Sequence, residues 1–158
     1  MNASRFKTMR HMETVRNLLQ EFTKNLLDRG VAHDQSKLRE PEDKYREKYM
    51  LKLRRMKYGS SEYNRFIKKI GFIVQHHHKV NSHHPEFYKE GIRGMTLMDV
   101  MEMLCDWKAA TLREDNNIFT SIDMAQKKYL FTDELKAILI NTALWLNDQD
   151  TFHRADES

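Results

Sequence analysis

The pentapeptide His33-Asp34-Gln35-Ser36-Lys37 sets an imidazole, a carboxylate and an ammonium close together in the chain. Imidazole nitrogen suits borderline ions such as Fe, Mn, Co, Ni and Zn, and a carboxylate can bridge two cations. Lys37 stands three residues beyond Asp34. A helical backbone would return it to the same face, where an ammonium can hold a phosphate as a point charge. A His-Asp pair also arises by chance, so its weight depends on ligands elsewhere. The chain offers several: His11, the run His76-His77-His78, the pair His83-His84, and Asp106. His-rich tracts do bind metal adventitiously. A built site needs ligands brought together from separate elements, and this distribution has that form.

The elements that must position these groups read as helices. Apolar residues make up 40% of the 158 residues and charged residues 32%, with only 5 Gly and 2 Pro. That balance predicts a soluble, all-α fold, a single-domain bundle of about six helices. Residues 1–150 are expected to form the domain and 151–158 a flexible tail. The first helix spans about 8–29, with His11, Val15, Leu18, Phe22 and Leu26 on one apolar face and Gly30 as its stop. His11 lies on that stripe; for this residue alone, a satisfied core histidine is the commoner reading. A second helix, 41–57, turns Tyr45, Tyr49, Leu53 and Met56 inward. Its outer face carries Lys44, Lys48, Lys52, Arg54, Arg55 and Lys57. A solvated face balanced by Glu42, Asp43 and Glu47 is the plainer account of that charge, and a polyanion-binding patch the sharper one.

A turn at Gly59-Ser60-Ser61 leads to a third helix, 61–79, with a serine as cap. Its face of Tyr63, Phe66, Ile67, Ile70, Ile73 and Val74 ends on His77, with His76 and His78 to either side. Pro85 biases the 81–86 stretch toward a loop. The fourth helix, 96–114, starts with an approximate Thr96/Asp99 capping box. It is apolar on most sides, which predicts burial, with Asp99, Glu102 and Asp106 along the remaining stripe. That stripe faces either water or a cation. Two further helices, 117–129 and 132–147, read as support, the last packing through Leu135, Ile138, Leu139, Thr142 and Leu146.

Other function classes recede. The single Cys105 forms no internal disulfide and fits a reducing cytoplasm. No apolar run reaches the roughly 18 residues of a membrane span, and Met1 to Met12 has no signal-type apolar core. The net charge of +4 is a mild bias toward anionic partners.

The order His11, His33-Asp34, His77 (or His76), His83-His84, Asp106 in an all-helical chain resembles the HD-domain superfamily of metal-dependent phosphohydrolases. His33-Asp34-x-x-Lys37 is similar to the motif of the HD-GYP branch, whose lysine meets the substrate phosphate. No Gly-Tyr-Pro follows His83-His84; Pro85-Glu86 stands there, which argues against a cyclic dinucleotide substrate. Through HDxSK, HHxxxNxHHPE and EMLCDWKA most of the chain also resembles an uncharacterised HD-like family common in phage genomes, which would place it in the host cytoplasm. The resemblance implies one or two divalent ions (Mn, Fe, Co, Ni, Zn or Mg). His11, His33, Asp34 and Asp106 would hold one, and His77, His83 and His84 a second, with Asp34 bridging. Lys37 would meet a small phosphorylated substrate, most simply a nucleotide. Glu86 or Glu102 would act as proton shuttle or outer partner, and Asn81 would orient a ligand or bind substrate. An iron-dependent oxygenase, and a non-enzymatic accessory protein with a structural metal that docks nucleic acid or a host protein, use the same residues differently. The sequence leaves oligomerisation open.

Overall fold

A computed structural model describes residues 3–53, 55–56, 60–112 and 117–155. Among them every regular element is helical: α1 (Ala3–Ala32), α2 (Glu42–Leu53), α3 (Ser61–Lys69), α4 (Gly71–Val80), α5 (Leu97–Thr111), α6 (Ile118–Tyr129) and α7 (Asp133–Ala155). Short 3-10 turns occupy Gln35–Leu38, Pro85–Phe87 and Gly91–Gly94. The all-α expectation holds. No helix among the described residues is long and apolar enough to cross a membrane. By contact the chain groups into two compact units, residues 1–73 and 74–158. No Pro- or Gly-rich linker marks that division in sequence, because it falls inside α4.

In the first unit, α1 is continuous through Gly30. Gly30 was expected to end the helix. Asp34 does so instead, in the left-handed region at φ 57°. None of α1 is buried, so its apolar stripe, expected to face the core, is open. The described core of this unit lies further on. Ser60 caps α3, its hydroxyl accepting from the Tyr63 amide at 3.1 Å. Phe66 and Ile70 are buried. Tyr49 stands edge-on to Phe66 at 5.5 Å, and Tyr45 edge-on to Phe72 at 5.1 Å. The expected helix 61–79 is two helices, parted at Ile70, whose amide closes α3 onto Phe66 and Lys68; Gly71, with no Cβ, opens the next. Of the expected basic face, Arg54 and Lys57 lie outside the described residues, as does Gly59 of the expected turn.

In the second unit α5, α6 and α7 pack on one another. Their shared core is Leu104, Ile118, Ile122, Ala125, Phe131, Leu139 and Ala143. On α7 the buried row runs Leu139–Ala143, one turn apart, with Leu135 partly buried ahead of them. Ile138, expected in that row, points out and is 59% exposed. The inward side of α5 also departs from expectation. Met103, Leu104 and the acid Asp99 are buried, while Leu97 and Met101 are exposed. An acidic residue faces inward because hydrogen bonds there satisfy it. α7 continues to Ala155, into the 151–158 stretch expected as a flexible tail; residues 156–158 lie outside the described residues.

Candidate metal centre

The first unit supplies a sharp turn. Asp34 is one of two non-glycine residues at positive φ among the described residues. Aspartate tolerates that conformation better than most side chains, but it still carries strain. The turn swings the chain off α1 and into Gln35–Leu38, where the Lys37 amide donates to the Asp34 carbonyl at 2.9 Å. The Lys37 ammonium thereby reaches the Asp34 carboxylate. His33 Nε2 lies 3.5 Å from the same oxygen, Oδ2. So the pentapeptide does place its three chemical groups together, as the spacing implied.

His11 does not join them. It is exposed on α1, and 22 residues of unbroken helix separate it from His33. At 1.5 Å rise per residue that is about 33 Å, whereas a His–metal bond is about 2 Å. The expectation that His11 shares an ion with His33 and Asp34 is therefore corrected: a single helix carries the chain from one to the other.

The second unit gathers His77, His78, His83 and His84. His77, on the last turn of α4, meets His83 and His84, which follow the helix end at Val80. Each offers a ring nitrogen within 4.8 Å of the others. Their Nε2 atoms come closest between His77 and His84, at 2.9 Å, and the His83 and His84 rings stand 4.2 Å apart. Asn81 positions His77 twice over: its amide donates to the His77 carbonyl at 2.8 Å and lies 3.0 Å from Nδ1. His84 is held neutral: burial, then the neighbouring imidazoles of His83, His78 and His77, lower its pKa to about 3. A neutral imidazole is the form that binds metal.

His83 is the most buried of the set, at 2% exposure, and its Nδ1 lies 3.0 Å from Glu102 Oε1 on α5. Metal-binding histidines characteristically hand their second N–H to a carboxylate in this way. With that proton on Nδ1, Nε2 carries the lone pair. A second group overlaps the first through His84: His78, His84 and Glu86 also bring ligand atoms within 4.8 Å. Glu86 is engaged elsewhere too. Lys128 donates to it at 2.8 Å and the Tyr129 hydroxyl at 3.0 Å. Burial pushes its pKa up, yet the Lys128 ammonium outweighs this and keeps Glu86 below its ordinary value. An anion so held is a weak proton acceptor. Asp106 is partly buried, one turn beyond Glu102 on α5.

What fixes the 81–96 segment is a second, purely structural cluster. Asp99 Oδ2 accepts from the Thr96 amide at 2.7 Å, the Thr96 hydroxyl at 2.6 Å and the Tyr88 hydroxyl at 2.8 Å. Burial penalises the carboxylate, but bonds from Thr96, Tyr88 and Ser82 prevail and hold its pKa well below the usual range. The capping box expected at Thr96 is thus present and extends to Tyr88 and Ser82, the latter adjacent to His83. Gly94 makes room for it: a Cβ there would lie 2.9 Å from Tyr88 Cβ. Gly91, at φ 61°, turns the chain between. Tyr88, Gly94, Lys128 and Tyr129 were not singled out from the sequence. They belong to no motif, and only their neighbours in space give them a role. His78, expected to one side of the apolar face within the His76-His77-His78 run, joins the cluster beside His84 and Glu86.

A family model described as a family of unknown function (DUF5662) matches residues 1–145. Searches of curated proteins and of solved structures found no match.

Proposed function

This chain belongs to the DUF5662 family, and we propose that it is a metal-dependent phosphohydrolase acting on a nucleotide-type phosphate ester. The observation that carries the reading is the meeting of His77, His83 and His84 around ring nitrogens within 4.8 Å of one another, two of them braced by Asn81 and Glu102. The donor set fits a cation. It is rich in neutral imidazole with carboxylates alongside, a composition that favours Mn, Fe, Co, Ni or Zn over Mg. On the sequence resemblance Asp106 is a ligand of the ion that His33 and Asp34 would hold. On the same resemblance His33 and Asp34 share this chemistry, and Lys37 meets the substrate phosphoryl group.

A bound divalent ion would supply water acidified to near neutrality and positive charge opposite the phosphoryl oxygens. The chain's own residues do the rest. Glu102 keeps the His83 proton on Nδ1 and orients the ring. Asn81 holds His77 against rotation, so its role is positioning. Glu86, tied to Lys128 and Tyr129, anchors the His78 side of the cluster. Lys37, whose ammonium meets the Asp34 carboxylate, would on the resemblance offset charge on the substrate phosphoryl group.

The test is phosphate release from a panel of nucleoside mono- and diphosphates. Untagged protein is loaded in turn with Mn, Fe, Co, Ni and Zn, and metal content is measured alongside. Release that disappears in His84→Ala, with the metal, supports the proposal. Silence across all five metals with the metal demonstrably bound would sink it and leave a structural site.

A further inference from the structure

α1 is a 30-residue helix in which no residue is buried. Met12, Val15, Leu19, Phe22 and Leu26 recur at alternating spacings of three and four, the a/d seam of paired helices. Leu18 widens the seam at its middle. Met12, Leu18, Leu19 and Phe22 are each half exposed or more. An isolated helix gains little stability in water without a packed face, and the unit it belongs to has only Phe66 and Ile70 as buried apolar residues among those described. The open seam, with Met9 and Leu27 on its flanks, presents on the order of 500 Å² of apolar surface, taking roughly 150 Å² per large side chain, about half of it exposed. That lies toward the upper end of the roughly 300–600 Å² of a typical monomer's largest patch, which is often functional. With the polar flanks it approaches the roughly 800 Å² per partner of a stable interface.

Seam spacing calls for another helix with the same spacing, and a second copy of α1 provides one. Charge selects the direction. The first half of α1 carries Arg5, Lys7, Arg10 and Arg16 against Glu13 alone, whereas the second half balances Lys24 and Arg29 with Glu21 and Asp28. A parallel pair would set cationic half on cationic half. An antiparallel pair sets the cationic half against the neutral half and opposes the helix dipoles.

We propose that α1 pairs antiparallel with the α1 of a second copy of this chain, crossing at Leu18 and Leu19, the midpoint of the helix. The pairing is isologous, one two-fold axis and the same patch from both partners, so it closes as a dimer. It does not depend on the metal-centre reading.

The experiment is sedimentation velocity on the full chain from 1 to 100 μM, with Leu19→Glu and Phe22→Glu compared at matched helical content by circular dichroism. Both sites are exposed, so neither change disturbs a packed core. The expected result is a species with the mass of two chains for the natural sequence, and association weakened at least 100-fold in favour of monomer in either variant. A monomer at 100 μM overturns the proposal, as does a dimer indifferent to both substitutions. A monomer whose α1 instead binds anionic phosphatidylserine vesicles, the other use of a basic amphipathic helix, also overturns it.

Discussion

Asp99 offers the most direct measure of how the histidine-bearing segment is held. It is 2% exposed, and a single carboxylate oxygen receives three donors at 2.6 to 2.8 Å. A hydrogen bond to a charged group contributes about 1.5–3 kcal/mol net, against about 1 for a neutral one. Asp99→Asn keeps an acceptor in place and removes the charge. Three weakened bonds, offset by the smaller cost of burying an amide, give an expected loss of about 2 kcal/mol. Asp99→Ala strands the Thr96 amide and the Tyr88 hydroxyl and should cost about 3–5 kcal/mol, taking about 1–3 kcal/mol for each buried donor left without an acceptor. With a urea m-value of about 1–3 kcal/mol/M, Asp99→Asn would move the midpoint down by roughly 1 M. The pH dependence carries the sign. Asp99 is depressed in the folded state and titrates near 3.9 unfolded, so its contribution is fully present above about pH 5. It drains away as pH falls below 4, toward the folded-state pKa. The gap between the natural protein and Asp99→Asn should therefore be constant from pH 5 to 8 and narrow below pH 4. A gap that is absent at pH 7, or that widens on acidification, refutes the reasoning.

Gly94→Ala should cost about 1–3 kcal/mol in the same urea assay, since its Cβ would sit 2.9 Å from Tyr88 Cβ and overpacking carries that penalty. Glu102→Gln keeps the shape but weakens the hold on His83, so calorimetric titration with Zn or Mn should show affinity 10- to 100-fold lower, and His84→Ala should abolish stoichiometric binding. At Asp34, φ is 57°, so Asp34→Gly should be about 1 kcal/mol more stable than Asp34→Ala, while both lose the partner of Lys37; equal stabilities would mean the turn is unstrained. Lys37→Ala should lower phosphate release and leave metal content unchanged, separating substrate contact from ion binding.

Much of this was legible in the residues themselves. Helical periodicity located the helical stretches, though it ran α3 and α4 into one and stopped α7 eight residues short, because apolar spacing and capping chemistry are local; the Thr96/Asp99 box and the Ser60 cap follow from side chains three residues apart. The His33-Asp34-Lys37 cluster was legible for the same reason. The grouping of His77 with His83 and His84 spans only seven residues across one helix end, again within reach of sequence. Burial was not local. The same periodic signal described α1, which is open along its length, and α3, which buries Phe66 and Ile70, since an apolar stripe records that a helix wants a partner and not whether the chain supplies one.

The sequence by itself determined which groups could do chemistry and which stretches are helical, since both depend on residue type and short spacing. Tertiary structure alone decided that α1 buries none of its apolar stripe. It also decided that Asp99 is a buried structural anion, not part of a solvated edge, and that Glu102 and Asn81 brace the histidines. Those outcomes depend on where a helix ends and which distant side chain fills the space beside it, and the free energy that settles them comes from contacts between residues that sequence spacing does not relate.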